Sequence, residues 1–182
     1  MKDLSLHVMD LLQNSTVVDS SIITLDIKDS IKENIFKFTI TDDGRGMSKE
    51  FLSKVTDPYS TTRTTRKVGL GLPLIKMNSE HCGGGFEIES TLGKGTKLTF
   101  WFEHNHLDRP PMGDLAGVFV LTIAQNEAIR FKLNYQTDVD TFEFDTLEVK
   151  EALDGMSLNN MDIIKMLREM IEENLKEIKA ND

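Results

Sequence analysis

The sequence predicts an α+β fold, helices interspersed with antiparallel hairpins. Paired runs of alternating apolar residues, at 21–27 with 35–41 and at 86–90 with 97–102, read as strands joined in hairpins. Stretches at 4–18, 71–81 and 160–179 place apolar residues at i, i+3 and i+4, the period of a helix buried on one side. Glycine pairs, Gly44/Gly46 and Gly69/Gly71, bracket a segment rich in Thr, Arg and Lys.

Leu4, Val8, Leu11, Leu12 and Ser15 share the buried face of the first helix, with Asp3 as its N-cap. Asp10 and Asn14 stand four apart, so they project from one side, a turn from each other. A carboxylate and an amide stacked in this way serve one ligand or form a solvated polar face. In the first hairpin Ile23, Leu25 and Ile27 alternate with polar residues, then Phe36, Phe38 and Ile40, with a turn over 29–34. The second strand runs into Asp42-Asp43-Gly44-Arg45-Gly46-Met47, a tight turn with a carboxylate at its start. A buried Asp42 there would accept a hydrogen bond from an exocyclic amine such as that of adenine; otherwise it is an ordinary Asp-Gly turn.

Residues 48–55 read as a short helix capped by Ser48, ended at Thr56-Asp57-Pro58. Tyr59 to Lys67 has no apolar period and reads as a mobile loop whose hydroxyls and cations would suit a polyphosphate. Gly69-Leu70-Gly71-Leu72-Pro73 opens the next helix, where free N–H groups and the helix dipole attract phosphate and Pro73 is tolerated. The second hairpin follows, turning at Gly93-Lys94-Gly95-Thr96, with Leu98, Phe100 and Phe102 on one face.

His104 to Pro111 reads as a connector in which His104, His106 and Asp108 are either metal ligands or a polar linker. A helix over 114–124, a hairpin over 128–135 and 139–145, and a short helix over 146–153 follow. The terminal helix, 160–179, carries a stripe of Ile163, Ile164, Leu167, Met170, Ile171, Asn174, Leu175 and Ile178. It docks on its own domain, or it pairs with a partner or a second copy as a homodimer.

At 182 residues, 39% hydrophobic and 28% charged, the chain suits a soluble globular protein. A net charge of −9 argues against non-specific nucleic-acid binding. There is no apolar run long enough for a membrane span and no signal-peptide core. With Cys82 as its single cysteine, the chain is expected in a reducing cytoplasm.

The ordered set of motifs resembles the GHKL superfamily of ATPases, whose members include DNA gyrase, heat-shock chaperones, histidine kinases and mismatch-repair ATPases. The set runs from the acid and Asn four apart, through D-x-G-x-G and S-T-T-R, to G-L-G-L and G-K-G-T. It covers about 4–102, and Asp57-Pro58-Tyr59-Ser60-Thr61-Thr62-Arg63 is most similar to a segment of histidine-kinase catalytic domains. The resemblance implies a Bergerat-type two-layer α/β sandwich over 1–103, with a mixed, mostly antiparallel sheet and helices on one face. Residues 104–182 would form a C-terminal α+β extension, similar to the tail of small stand-alone bacterial ATP-binding proteins of the superfamily.

It also implies roles. Asn14 would bind Mg²⁺, and Asp10 would be the catalytic acid that positions water or an acceptor. Asp42 would bind the adenine amine, with Gly44 and Gly46 under the base and Thr96 beside it. Gly69, Leu70, Gly71 and Leu72 would meet the phosphates, with Thr62, Arg63 and Lys67 on a lid that orders on the γ-phosphate. ATP and Mg²⁺ are the cofactors implied, and a protein is the expected partner, with neither nucleic acid nor membrane. The outcome is a nucleotide-state switch, a Ser or His kinase acting in trans, or a nucleotide sensor. Asp10 stands where the family usually has Glu, one methylene longer, which favours kinase or sensor over fast hydrolysis. Few residues precede Asp10, so the upstream phosphoacceptor hairpin of a complete histidine kinase is expected to be absent, and His7 is misplaced to replace it.

Overall fold

The computed structural model describes residues 3–55 and 71–180. Helix α1 (Leu4–Thr16) begins at Asp3, whose carboxylate accepts the Leu6 N–H. Strands β1 (Ile22–Ser30) and β2 (Ile35–Asp42) form the first hairpin. Helix α2 (Lys49–Leu52) is a single turn capped by Ser48. Helix α3 (Gly71–His81) leads to the hairpin of β3 (Gly85–Thr91) and β4 (Gly95–Glu103). Helix α4 (Leu115–Gln125), strands β5 (Arg130–Gln136) and β6 (Thr141–Asp145), and helices α5 (Thr146–Ala152) and α6 (Met161–Ala180) complete the chain.

The strands form one six-stranded sheet in the order β3-β4-β2-β1-β5-β6. Every pairing is antiparallel except β1 with β5, where Ile22 to Lys28 run alongside Arg130 to Gln136. The sheet is therefore mixed. Strands from the C-terminal part extend the sheet begun by the N-terminal part.

Period-two alternation sets the layers. Ile23, Leu25, Ile27, Phe36, Phe38, Ile40, Phe100, Phe102, Phe131, Leu133 and Tyr135 are buried on one face. Thr24, Asp26, Lys37 and Thr39 on the other are only half-buried. Helix α1 packs on β1 and β2, α3 on β3 and β4, and α4 lies between α1 and α6. Helix α4 is apolar almost all round because it is enclosed between those helices. The α6 stripe of Ile163, Leu167, Ile171, Leu175 and Ile178 is buried within this chain, so that face is spent on its own domain.

Strand β1 runs past its predicted end at Ile27 because partners satisfy its polar tail. Asp29 accepts hydrogen bonds from Tyr135 Oη at 2.6 Å and from His104 Nε2 at 2.8 Å. That contact occupies His104, and among the described residues no group of three or more His, Cys, Asp or Glu side chains could hold a metal. No helix among the described residues is long and apolar enough to cross a membrane.

Candidate functional site

A cavity of about 740 Å³ opens between the C-terminal half of α1, the end of β2 with its following turn, α2, the start of α3 and the β3–β4 hairpin. Its walls are mostly apolar, with Leu11, Ile40, Met47, Val55, Leu72 and Leu98 among them. The polar groups reaching it include Asn14, Ser15, Asp42, Arg45 and Thr96. Few polar groups in an apolar enclosure is the composition of a small-molecule pocket.

Asp42 closes β2 and is buried. Its Oδ2 accepts from Ser15 Oγ at 2.9 Å and its Oδ1 from the Gly44 N–H at 3.0 Å. A carboxylate has about four lone-pair positions, so acceptor capacity is left for a ligand donor. Thr96 lies directly opposite Asp42 on β4. Its Oγ1 is 2.9 Å from Ser90 Oγ, which also accepts the Met47 N–H at 2.8 Å. Ser90 thus ties the turn after β2 to the hairpin that carries Thr96.

Glycine is needed in that turn for two physical reasons. Gly46 has φ +65, and a Cβ there would lie 2.1 Å from the Thr91 carbonyl oxygen. At Gly44 a Cβ would meet the Val18 carbonyl and side chain at 2.5 Å. Between them Arg45 clamps the pocket rim. Its N–H donates to Val18 O at 2.9 Å and its Nη2 to Val17 O at 2.8 Å, while its carbonyl accepts the Gly93 N–H at 2.7 Å. Val17 is the C-cap of α1, so the guanidinium takes one of the carbonyls that a helix end leaves unpaired.

Asp10 faces the first turn of α3. A Cβ on Gly71 would fall 1.8 Å from Asp10 Oδ2, so only glycine admits that approach. Asp10 Oδ2 is buried and has no hydrogen-bond partner among the described residues. Burial pushes this carboxyl above the usual carboxylate range. Asn14, one turn along, lines the cavity, and its side chain makes no hydrogen bond to the described residues.

Of the residues named from sequence, the fold brings Asn14, Asp42, Gly46, Leu72 and Thr96 to the cavity, with Gly44 in the turn beneath and Asp10 against Gly71. Leu72 enters as an apolar wall. Thr62, Arg63, Lys67, Gly69 and Leu70 lie outside the described residues. Ser15, Ser90 and Arg45 escaped the sequence reading. Ser15 counted only as one of the first helix's buried-face positions, although a hydroxyl there, next to Asn14, hints at a buried acceptor.

Residues 2–106 match the family described as "Histidine kinase-, DNA gyrase B-, and HSP90-like ATPase". Over 77 residues the chain is 34% identical to the sensor histidine kinase ZraS of Escherichia coli O157:H7, covering 42% of this chain and 17% of that one. Over 81 residues it is 33% identical to the non-motile and phage-resistance protein of Caulobacter vibrioides, covering 42% and 10% respectively. The chain therefore spans less than a fifth of these relatives. Among solved structures, the ATPase domain of Aquifex aeolicus MutL complexed with ADP superposes with a TM-score of 0.51 at 15% identity, covering 85% of this chain and 70% of that one. The N-terminal domain of a DNA repair protein superposes with a TM-score of 0.54 at 16% identity, covering 79% and 52%. At these identities the likeness is one of fold. With more than half its length matched, this chain belongs to the histidine kinase-, DNA gyrase B- and HSP90-like ATPases and carries their GHKL ATP-binding domain.

Proposed function

We propose that the cavity binds ATP with Mg²⁺ and that Asp10 positions the group that attacks, or accepts, the γ-phosphate. The observation that carries this reading is the buried Asp42 carboxylate, held by Ser15 and Gly44, with Thr96 opposite. A carboxylate fixed in an apolar pocket selects a ligand that presents a donor, as the adenine amine does. Helix α3 begins at Gly71 among the described residues, and the N–H groups of a helix's first turn, which have no partner within the helix, would suit phosphate.

The donors fit a hard divalent cation. Mg²⁺ binds through oxygen, using one or two protein ligands and the substrate's phosphates. Asn14 would hold it through its amide oxygen, and the ion would neutralise phosphate charge. Asp10, one helical turn away, is left for positioning, which with charge stabilisation is most of phosphoryl-transfer catalysis. Arg63 and Lys67 are assigned to the phosphates, and the lid role to 59–67, on their sequence alone.

Titration calorimetry with ATP and Mg²⁺ tests the reading. The expected result is binding that requires the cation, with Asp42→Asn abolishing it. No heat of binding would sink the reading, and an unchanged affinity in Asp42→Asn would sink the adenine assignment.

A second reading, a protein kinase acting in trans, is favoured by the similarity to sensor histidine kinases over the matched stretch. Label from γ-³²P-ATP on a co-purified protein selects it. Free phosphate alone selects a hydrolytic switch, and binding with neither product selects a sensor. In each case a protein partner is the proposed reader of the nucleotide state.

A further inference from the structure

Among the described residues, the buried side-chain atoms that lack a hydrogen-bond partner are His7 Nδ1 and Asp10 Oδ2. Such atoms are rare in native proteins, and each calls for an explanation in function or in a bridging water. These two belong to residues three apart on α1. Positions i and i+3 of a helix are neighbours on its surface. With Asn14, they fall within about 60° of one another around the helix axis.

Both residues face α3. Asp10 meets it at Gly71, and His7 Nε2 lies 3.4 Å from Asn78 Nδ2. With the Asn78 amide donating to Nε2, a neutral imidazole carries its proton on Nδ1. His7 is buried, with 1% exposure, and burial holds its imidazole below its ordinary range, with Asp3 offsetting this only in part. The arrangement is then complementary. An orphan N–H on His7 lies one turn from an orphan carboxylate oxygen on Asp10.

We propose that His7 is a positioning residue for Asp10: its Nδ1–H reaches Asp10 Oδ2 through one buried water, which holds the carboxylate towards the first turn of α3. Leaving a buried donor and a buried acceptor both unmet is costly, so a bridging water that satisfies both is strongly favoured. His7 thereby enters the site without touching substrate. The inference rests on the role assigned to Asp10 for its catalytic consequence, but not for the contact itself.

The contact is tested without nucleotide. In ¹⁵N-histidine-labelled protein, Nδ1 of His7 is expected to be the protonated nitrogen, and Asp10→Ala is expected to move its resonance. An unprotonated Nδ1, or a resonance unmoved by Asp10→Ala, overturns the proposal. The consequence is tested on phosphate release or transfer. His7→Leu is expected to lower kcat about 10- to 100-fold, the usual effect of losing a supporting contact to a working group, with KM for ATP little changed. His7→Asn, which keeps an N–H near the Nδ1 position, is expected to recover part of that loss. Equal kcat in His7→Leu and wild type overturns the positioning role, as does a kcat loss that His7→Asn does not relieve. If the wild type fails to bind ATP, the nucleotide reading falls, and the resonance measurement alone decides the His7–Asp10 contact.

Discussion

Ser15 Oγ donates a 2.9 Å hydrogen bond to Asp42 Oδ2, joining two residues 27 positions apart. The bond fastens α1 to the end of β2 inside the cavity. Asn14, the neighbour of Ser15, lines the same cavity from the same helix. The group proposed to read the base and the group proposed to hold the metal are therefore set by one rigid element.

Ser15→Ala removes a buried donor to a charged acceptor, an interaction of about 1.5–3 kcal/mol. The expected outcome is ATP affinity weakened about tenfold, the equivalent of 1.4 kcal/mol, with a modest fall in Tm. Calorimetric titration beside a thermal melt checks both. Undiminished affinity would show that Gly44 alone suffices to orient Asp42.

Gly71→Ala places a methyl 1.8 Å from Asp10 Oδ2, so the carboxylate or the start of α3 must move. Turnover is expected to fall more than nucleotide affinity does, because the displaced group is the one assigned to positioning. Steady-state kinetics at saturating ATP, set against the calorimetric Kd, measure the split.

Gly46→Ala combines a left-handed backbone with a Cβ 2.1 Å from the Thr91 carbonyl oxygen. The conformation alone costs an ordinary residue about 1–2 kcal/mol. The backbone clash adds to it, because a carbonyl has no rotamer to escape into. A clear drop in Tm is expected, together with loss of the pocket wall, read as lost ATP binding.

Asp145 makes a bidentate pair with Arg130, at 3.0 Å and 2.6 Å, and also caps α5 through the Leu147 N–H. The Arg130 hydrogen bonds hold its carboxyl down at about 2, against a partial opposing effect of burial. A carboxyl lowered on folding stabilises the native state above its unfolded value near 3.8, and that contribution is lost as pH falls towards 2. Arg130→Gln should therefore lower Tm at pH 6, with the difference from wild type shrinking as pH approaches 2. Melts across that range would refute the assignment if the gap stayed constant.

Local chemistry made much of the fold readable. Alternation marked β1, β2 and β4, and the caps Asp3 and Ser48 stand where their side chains predict helix starts. The motif order identified the family and indicated a cavity at Asp42. What could not be read depends on partners far along the chain. The parallel pairing of β1 with β5 leaves no local trace, because each strand has the same alternating pattern whichever neighbour it takes. Ser15, Ser90 and Arg45 act through bonds to residues 27, 43 and 28 positions away. Helical spacing puts Ser15 on a buried face but does not name its partner, and nothing in their immediate sequence separates Ser90 and Arg45 from surface polar residues.

The β1–β5 pairing also has a thermodynamic meaning. The family match ends at residue 106, before β5 begins. A fragment cut there would leave the N–H and C=O groups of β1 that face β5, between Ile22 and Lys28, as an open edge, a template for self-association. It would also uncover the side of α1 that α4 shields. The pocket and the C-terminal half are thus expected to unfold as one cooperative unit. A single calorimetric transition is expected for the whole chain, and ATP added at the pocket should raise the temperature at which the distant β6 and α6 melt.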